Sequence, residues 1–142
     1  IKCITLTKGL LPIELVNLSP ENEHGITLVS LDESFRERME PGASSYENRI
    51  ASLQALHEAG CRTWVSIEPY PTPNMIEQDL RTILERIAFV DRIIFGRINY
   101  SKEANSYKPH KRFYNECALE VISFCKENDI DYHIKNKTIT EE

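Results

Sequence analysis

Five short apolar runs in this chain each end on polar or charged residues, and those ends carry the side chains best suited to chemistry. They read Thr7-Lys8-Gly9, Ser30-Leu31-Asp32-Glu33, Ser66-Ile67-Glu68-Pro69, Gly96-Arg97-Ile98-Asn99-Tyr100 and Lys135-Asn136-Lys137. Lys8, Arg97 and Lys135 beside Asp32 and Glu68 make a set able to hold a zwitterionic or phosphorylated small molecule, because opposite charges are held close in a water-poor cleft. Solvated loop chemistry is the competing reading for any one of them, so the set carries the argument. Glu68, before a proline, has the chemistry of a general base. Arg49 lies early in a helical pattern, where a cation meets the unfavourable end of the helix dipole, and so requires a partner: Glu40 or a bound carboxylate. His24, His57, His110 and His133 form no HxxxH or HExxH pattern and read as surface or rim residues. The stretch 100–114 interleaves Lys102, Lys108, Lys111 and Arg112 with Tyr100, Tyr107, Phe113 and Tyr114. Such a loop can stack bases and meet phosphates, or serve as a solvated connector with buried aromatic ends. No Gly-rich phosphate cradle or dinucleotide fingerprint occurs.

The elements that must position these residues follow from periodicity. Runs at 4–7, 26–31, 63–68, 93–97 and 132–134 are β-branched, apolar and bounded by turn or charged residues, which predicts strands. Between them the spacing predicts helices over 45–59, with Ser44 and Glu47 as capping box and Gly60 as stop, over 75–87, with Asn74 as cap, and over 112–128. A short helix is expected around 12–18. Glu40-Pro41-Gly42 reads first as a tight turn between two helices. Alternating strands and helices predict an α/β class: a parallel sheet of about five strands with helical crossovers, ligands sitting at the carboxyl ends of the strands.

The chain has 142 residues, enough for one domain spanning 1–142, and 17 Lys and Arg against 22 Asp and Glu leave a formal charge of −5. That balance argues against a dedicated nucleic-acid module. At 41% hydrophobic and 27% charged, with 5 Gly and 7 Pro, the composition excludes collagen-like, coiled-coil and disordered chains. No run approaches the roughly 18–20 apolar residues of a membrane span and no signal peptide opens the chain, so the expected location is cytoplasmic, with no membrane partner. Cys3, Cys61, Cys117 and Cys125 match neither a CxxC zinc pattern nor a disulfide framework and read as buried thiols. The chain opens on Ile, almost at once inside a strand, which suggests a piece of something longer.

Ser30-Leu31-Asp32, then Glu40-Pro41-Gly42-Ala43 and Arg49, then Ala59-Gly60, then Val65-Ser66-Ile67-Glu68-Pro69 resemble the radical S-adenosylmethionine (SAM) superfamily, and within it the spore photoproduct lyase-like branch. The resemblance extends over about residues 2–138. It implies a TIM-like partial (β/α) barrel of about six strands that binds SAM and a [4Fe–4S] cluster and cleaves the cofactor reductively to a 5′-deoxyadenosyl radical. Thr7-Lys8 then matches the third strand end of that barrel, Ser30 and Asp32 the fourth, Glu68-Pro69 the fifth, and Gly96 with Asn99 the sixth. The implied cofactor-binding set is Thr7, Lys8, Ser30, Asp32, Arg49, Ile67, Glu68 and Asn99. Within it, Ser30 faces the ribose or methionine part, Arg49 meets the cofactor carboxylate or clamps Glu40, and Ile67 and Glu68 line the adenine side. The resemblance assigns no catalytic residue and no metal ligand in this chain.

Two parts of the family pattern are missing: the CxxxCxxC loop after the first strand and the Gly-Gly-Glu stretch after the second. The expectation is therefore the C-terminal portion of a radical SAM catalytic domain, shaping one side of the SAM pocket, with cluster and SAM belonging to the parent enzyme. The piece alone is expected to be inactive and to self-associate through the unpaired edge of its first strand. The parent would act on a nucleic acid or another macromolecule. Two further readings stand beside this one: a non-catalytic α/β binding or assembly module, and a small-molecule enzyme using Lys8, Asp32 and Glu68.

Overall fold

The computed structural model describes residues 1–141. Five strands, β1 (Ile4–Thr7), β2 (Glu23–Thr27), β3 (Arg62–Tyr70), β4 (Arg92–Arg97) and β5 (Asp131–Ile134), pair in parallel in the order β1-β2-β3-β4-β5. A 3₁₀ turn (Ile13–Asn17) connects β1 to β2, helices α1 (Glu33–Met39) and α2 (Tyr46–Glu58) connect β2 to β3, α3 (Leu80–Arg86) connects β3 to β4, and α4 (Lys102–Ser106) and α5 (His110–Glu127) connect β4 to β5. Parallel crossovers share one hand, so strands laid down in sequential order collect their helices on one face, as in an arc of a (β/α) barrel; a doubly wound sheet would reverse direction.

Side chains alternate along a strand, so Ile26, Val65, Ile67, Ile93 and Phe95 turn to the helix face. There they form one core with Ile50, Leu53 and Leu56 of α2, Ile83 and Leu84 of α3, and Val121 and Phe124 of α5. The opposite face is open: Ile4 and Leu6 of β1 are 61% and 50% exposed, and Trp64, Glu68 and Ile94 are half-buried. On that face the indole of Trp64 lies flat on Gly25, where an added Cβ would sit 2.5 Å from the ring. Gly25→Ala is expected to dislodge the indole and, as an overpacking change, to cost about 1–3 kcal/mol. Trp64 is the only tryptophan, so a red-shifted emission spectrum checks the displacement; unchanged emission would place the ring elsewhere.

Several boundaries differ from the sequence reading. The second strand runs from Glu23 to Thr27 instead of over 26–31, because His24, read as a surface or rim residue, and Gly25 are buried and pair with β3. The third helix begins at Leu80, capped by Asp79, whose side chain accepts from Arg81 N. Residues 75–79 are not helical, and Asn74 instead donates to Glu103 O (2.8 Å), tying that segment to α4. The α2 cap is Ser45, accepting from Asn48 N, one residue beyond the predicted Ser44, and Glu47 pairs with Arg86 of α3 (2.6 Å). Helices α1 and α4, of seven and five residues, are too short to show a period.

His24 is another correction. It is buried, with Nδ1 2.9 Å from Thr5 Oγ1, and burial holds its pKa below the ordinary 6.5. The unfolded chain takes up a proton near that value while the folded chain resists it, so stability is complete above it and falls as pH drops through it. The denaturation midpoint is expected to decline between about pH 7.5 and about pH 5.5, and to decline less in His24→Gln; an equal decline in both would remove His24 as the cause.

Candidate functional site

Five parallel strands bring all their carboxyl ends to one rim, and the residues nominated there divide into those that hold the rim together and those that face out from it. Arg49 belongs to the first group. It is fully buried on α2, donates from Nε to Ser44 O (2.9 Å) and from Nη1 to Thr27 O at the end of β2 (2.9 Å), and pairs through Nη2 with Glu40 Oε2 (2.6 Å). Its guanidinium lies 4.8 Å from the centroid of the Tyr46 ring. Glu40 is buried with it, at the turn that Gly42 completes with φ +84. The partner that a cation requires at this early helical position is thus Glu40. Ser30, also fully buried, accepts from Asp32 N (3.0 Å), and Asp32 caps α1 by accepting from Phe35 N (3.0 Å). Thr7 Oγ1 accepts from Gly9 N (2.9 Å). Ile67 packs in the core and offers the rim only its backbone.

Lys8 and Glu68 face outward. Lys8 Nζ stands 3.9 Å from Glu40 Oε1 and remains about half exposed. Glu68 lies on the open face across β4, where a Cβ at Gly96 would fall on its carboxylate; the missing side chain at Gly96 is the space Glu68 occupies. Lys135 Nζ, just past β5, is 3.9 Å from Glu68 Oε1. The rim therefore presents two separate charge pairs, Lys8 with Glu40 and Lys135 with Glu68, groups able to bind a small molecule carrying both charges. Asn99, just past β4, lines an open cavity of about 340 Å³ with Arg97 and Lys137.

The stretch 100–114 is more ordered than a connector. α4 and the start of α5 fill it, and Phe113 stacks against Tyr70 while Tyr114 is buried. Tyr114 donates from its hydroxyl to Tyr70 O (2.6 Å) and accepts from Ile98 N (3.3 Å), locking the ends of β3 and β4 to α5. Arg97 donates to His110 Nδ1 (2.9 Å). Sequence reasoning named neither Tyr114 nor His110 as a support for the rim; both sit in α5, and only their spacing of one helical turn gave any signal.

The cysteines do not come together. Cys117 and Cys125 are buried along α5, their thiols pushed up to about 12 and about 11 by burial. Cys3 is exposed and Cys61 half-buried, which corrects the expectation of four buried thiols. Among the described residues no group of three His, Cys, Asp or Glu side chains could hold a metal. An iron–sulfur cluster therefore has no ligand set among the described residues. Among the described residues no helix is long and apolar enough to cross a membrane.

One-sided parallel strands in sequential order with a polar carboxyl-end rim define a barrel-type α/β fold, and comparison with solved structures agrees. SuiB of Streptococcus suis bound to S-adenosylmethionine matches with a TM-score of 0.68 at 15% identity, over 96% of this chain and 32% of that one. A second SuiB structure gives 0.68 at 14% identity, and SuiB bound to its precursor peptide SuiA gives 0.62 at 16%, each over 96% of this chain. At such identities the likeness is one of fold, and this chain spans about a third of the length of SuiB. No family model matches the chain, and no curated protein does.

Proposed function

We propose that this chain is the C-terminal arc of a radical SAM barrel and forms one wall of its SAM pocket. The observation that carries the reading is the charged carboxyl-end rim of a one-sided arc, with Lys8 half exposed beside Glu40 and Glu68 beside Lys135. The sequence resemblance to the superfamily and the SAM-bound SuiB of the same fold support it. When bound with its cluster, SAM supplies a reductively cleavable carbon–sulfur bond. This chain's part is recognition. Lys8 meets the cofactor's carboxylate, Glu68 accepts from its hydroxyl or amino groups, and the Ile67 backbone runs along the adenine side. Thr7, Ser30, Asp32 and Arg49 hold the loops that carry these groups. The cluster ligands lie in a part of the parent outside this sequence, and the segment alone is inactive.

A peptide is the favoured macromolecular substrate, since the chain is acidic and SuiB binds the peptide SuiA; the nucleic-acid alternative and the spore photoproduct lyase-like branch rest on the sequence alone. The free β1 edge, with Ile4 and Leu6 exposed, causes the isolated segment to self-associate. Light scattering that stays monomeric at high concentration would refute that point.

The cofactor reading is tested on the native polypeptide containing this segment, with SAM as titrant and Trp64 emission as reporter, a Trp64→Phe variant serving as control. Glu68→Ala is expected to weaken SAM binding about tenfold, the loss of about one charge-assisted hydrogen bond. Unchanged affinity would remove Glu68 from the pocket, and no SAM binding at all would favour the reading of a binding or assembly module.

A further inference from the structure

Past the ends of β4 and β5, Arg97, Asn99, Tyr100, Asn105, Lys137 and Thr140 line the open cavity of about 340 Å³. In a chain of net charge −5 none of the residues lining it is acidic, while two are cationic and two are side-chain amides. Arg97 is held in place from behind. Its Nη2 donates to His110 Nδ1 (2.9 Å), and its guanidinium lies 5.0 Å from the centroid of the Tyr114 ring. An arginine can only donate, so His110 must accept at Nδ1 and carry its proton on Nε2. Burial and the neighbouring Arg97 both hold His110 in that neutral form. A cation fixed by a neutral acceptor and a ring keeps its charge for a ligand, in contrast to Arg49, whose charge is matched by Glu40.

The walls are as specific as the charge. Among the described residues three non-glycine residues have positive φ, and two of them, Tyr100 (62) and Lys137 (67), line this cavity, a conformation that costs free energy and is kept where the surroundings enforce it. Tyr100 is 99% exposed, so its ring stands clear at the cavity. The C-terminal strap that forms the far wall is pinned to α5: Asn115 donates from Nδ2 to Thr140 O (2.7 Å) and accepts from Thr140 N (2.9 Å).

We propose that this cavity is a subsite for an acidic peptide. Arg97 and Lys137 take a side-chain carboxylate, Asn99 and Asn105 bond the flanking peptide groups, and Tyr100 packs on the neighbouring residue. The choice of a peptide rests on the substrate class argued above, whereas the anion-binding chemistry rests on the cavity alone. The same cations would accept a phosphate, so the test separates the two.

The native polypeptide, labelled with ¹⁵N, is titrated with a hexapeptide of alternating Glu and Gly, with its Gln counterpart, and with inorganic phosphate. The Asn99 and Asn105 amide signals are expected to move with the Glu peptide and not with the Gln peptide, with weaker response to phosphate. Lys137→Gln and Arg97→Gln should each weaken binding about tenfold, and Tyr100→Ala by a smaller factor. Lys137 is a surface residue, so its variant stays informative if Arg97→Gln unfolds. Signals that do not move, an equal response to the Gln peptide, affinity unchanged in Lys137→Gln, or tighter binding of phosphate would each overturn the proposal. SAM titration of the same sample reads the cofactor proposal independently, so either can fail alone.

Discussion

Arg49→Met is expected to lower the unfolding free energy by about 3–5 kcal/mol, the cost of removing one partner from a buried ion pair and leaving the other charge uncompensated. Glu40 would be that charge, buried at the turn, with Lys8 at 3.9 Å as its remaining cation. Thr27 O and Ser44 O would each lose a donor as well. The lysine variant is informative, since a single ammonium cannot reproduce three donations fanned over two backbone carbonyls and a carboxylate. It should recover only a fraction of the loss. Replacing both partners, in Arg49→Met with Glu40→Leu, should destabilise less than Arg49→Met alone, because no buried charge remains. Urea denaturation of the four proteins makes the comparison. A double variant as unstable as the single one would mean that the loop packing, and not the stranded carboxylate, sets the cost.

Tyr114 is the second position where a large effect is expected. Its ring is fully buried between Phe113 and the Arg97 guanidinium, and its hydroxyl bridges Tyr70 O and Ile98 N. Tyr114→Phe keeps the ring and strands two backbone groups, a loss of about 1–3 kcal/mol. Tyr114→Ala adds the cavity, for a total of about 3–5 kcal/mol. The two variants should also differ at the rim. With Phe the ring still supports Arg97, so peptide binding in the β4–β5 cavity should persist, whereas Ala removes the support and should weaken it. Equal binding in all three proteins would show that His110 alone positions Arg97.

Sequence patterning located the architecture because it rests on local physics. β1, β3 and β4 are built on β-branched residues, and α2 and α5 are long enough for the apolar stripe to repeat. Patterning failed where tertiary burial overrides composition. His24 reads as a surface or rim residue, yet it and Gly25 pair in β2 because Thr5 meets the imidazole and Trp64 covers the glycine. Residues 75–79 carry a helical stripe but are drawn off the helix: Gln78 donates to Val29 O (2.9 Å) and Asn74 to Glu103 O (2.8 Å). Of the candidate site, the charged residues at the strand ends were legible. Their division into loop supports and free groups was not, because it depends on contacts such as Arg49 with Glu40 and Glu68 with Gly96 that join different elements. The cavity beyond β4 was legible in Arg97, Asn99, Tyr100 and Lys137, which follow β4 and β5, and not in Asn105 and Thr140, which reach it through α4 and the C-terminal strap.

The most direct test of the central claim is made on the native polypeptide containing this segment, purified without oxygen, reduced with dithionite in the presence of SAM and analysed for 5′-deoxyadenosine. 5′-Deoxyadenosine is expected to form, the polypeptide to carry a CxxxCxxC loop upstream of Ile1, and Glu68→Ala to lower the yield. A native polypeptide with no such loop that neither binds iron nor cleaves SAM would contradict that claim.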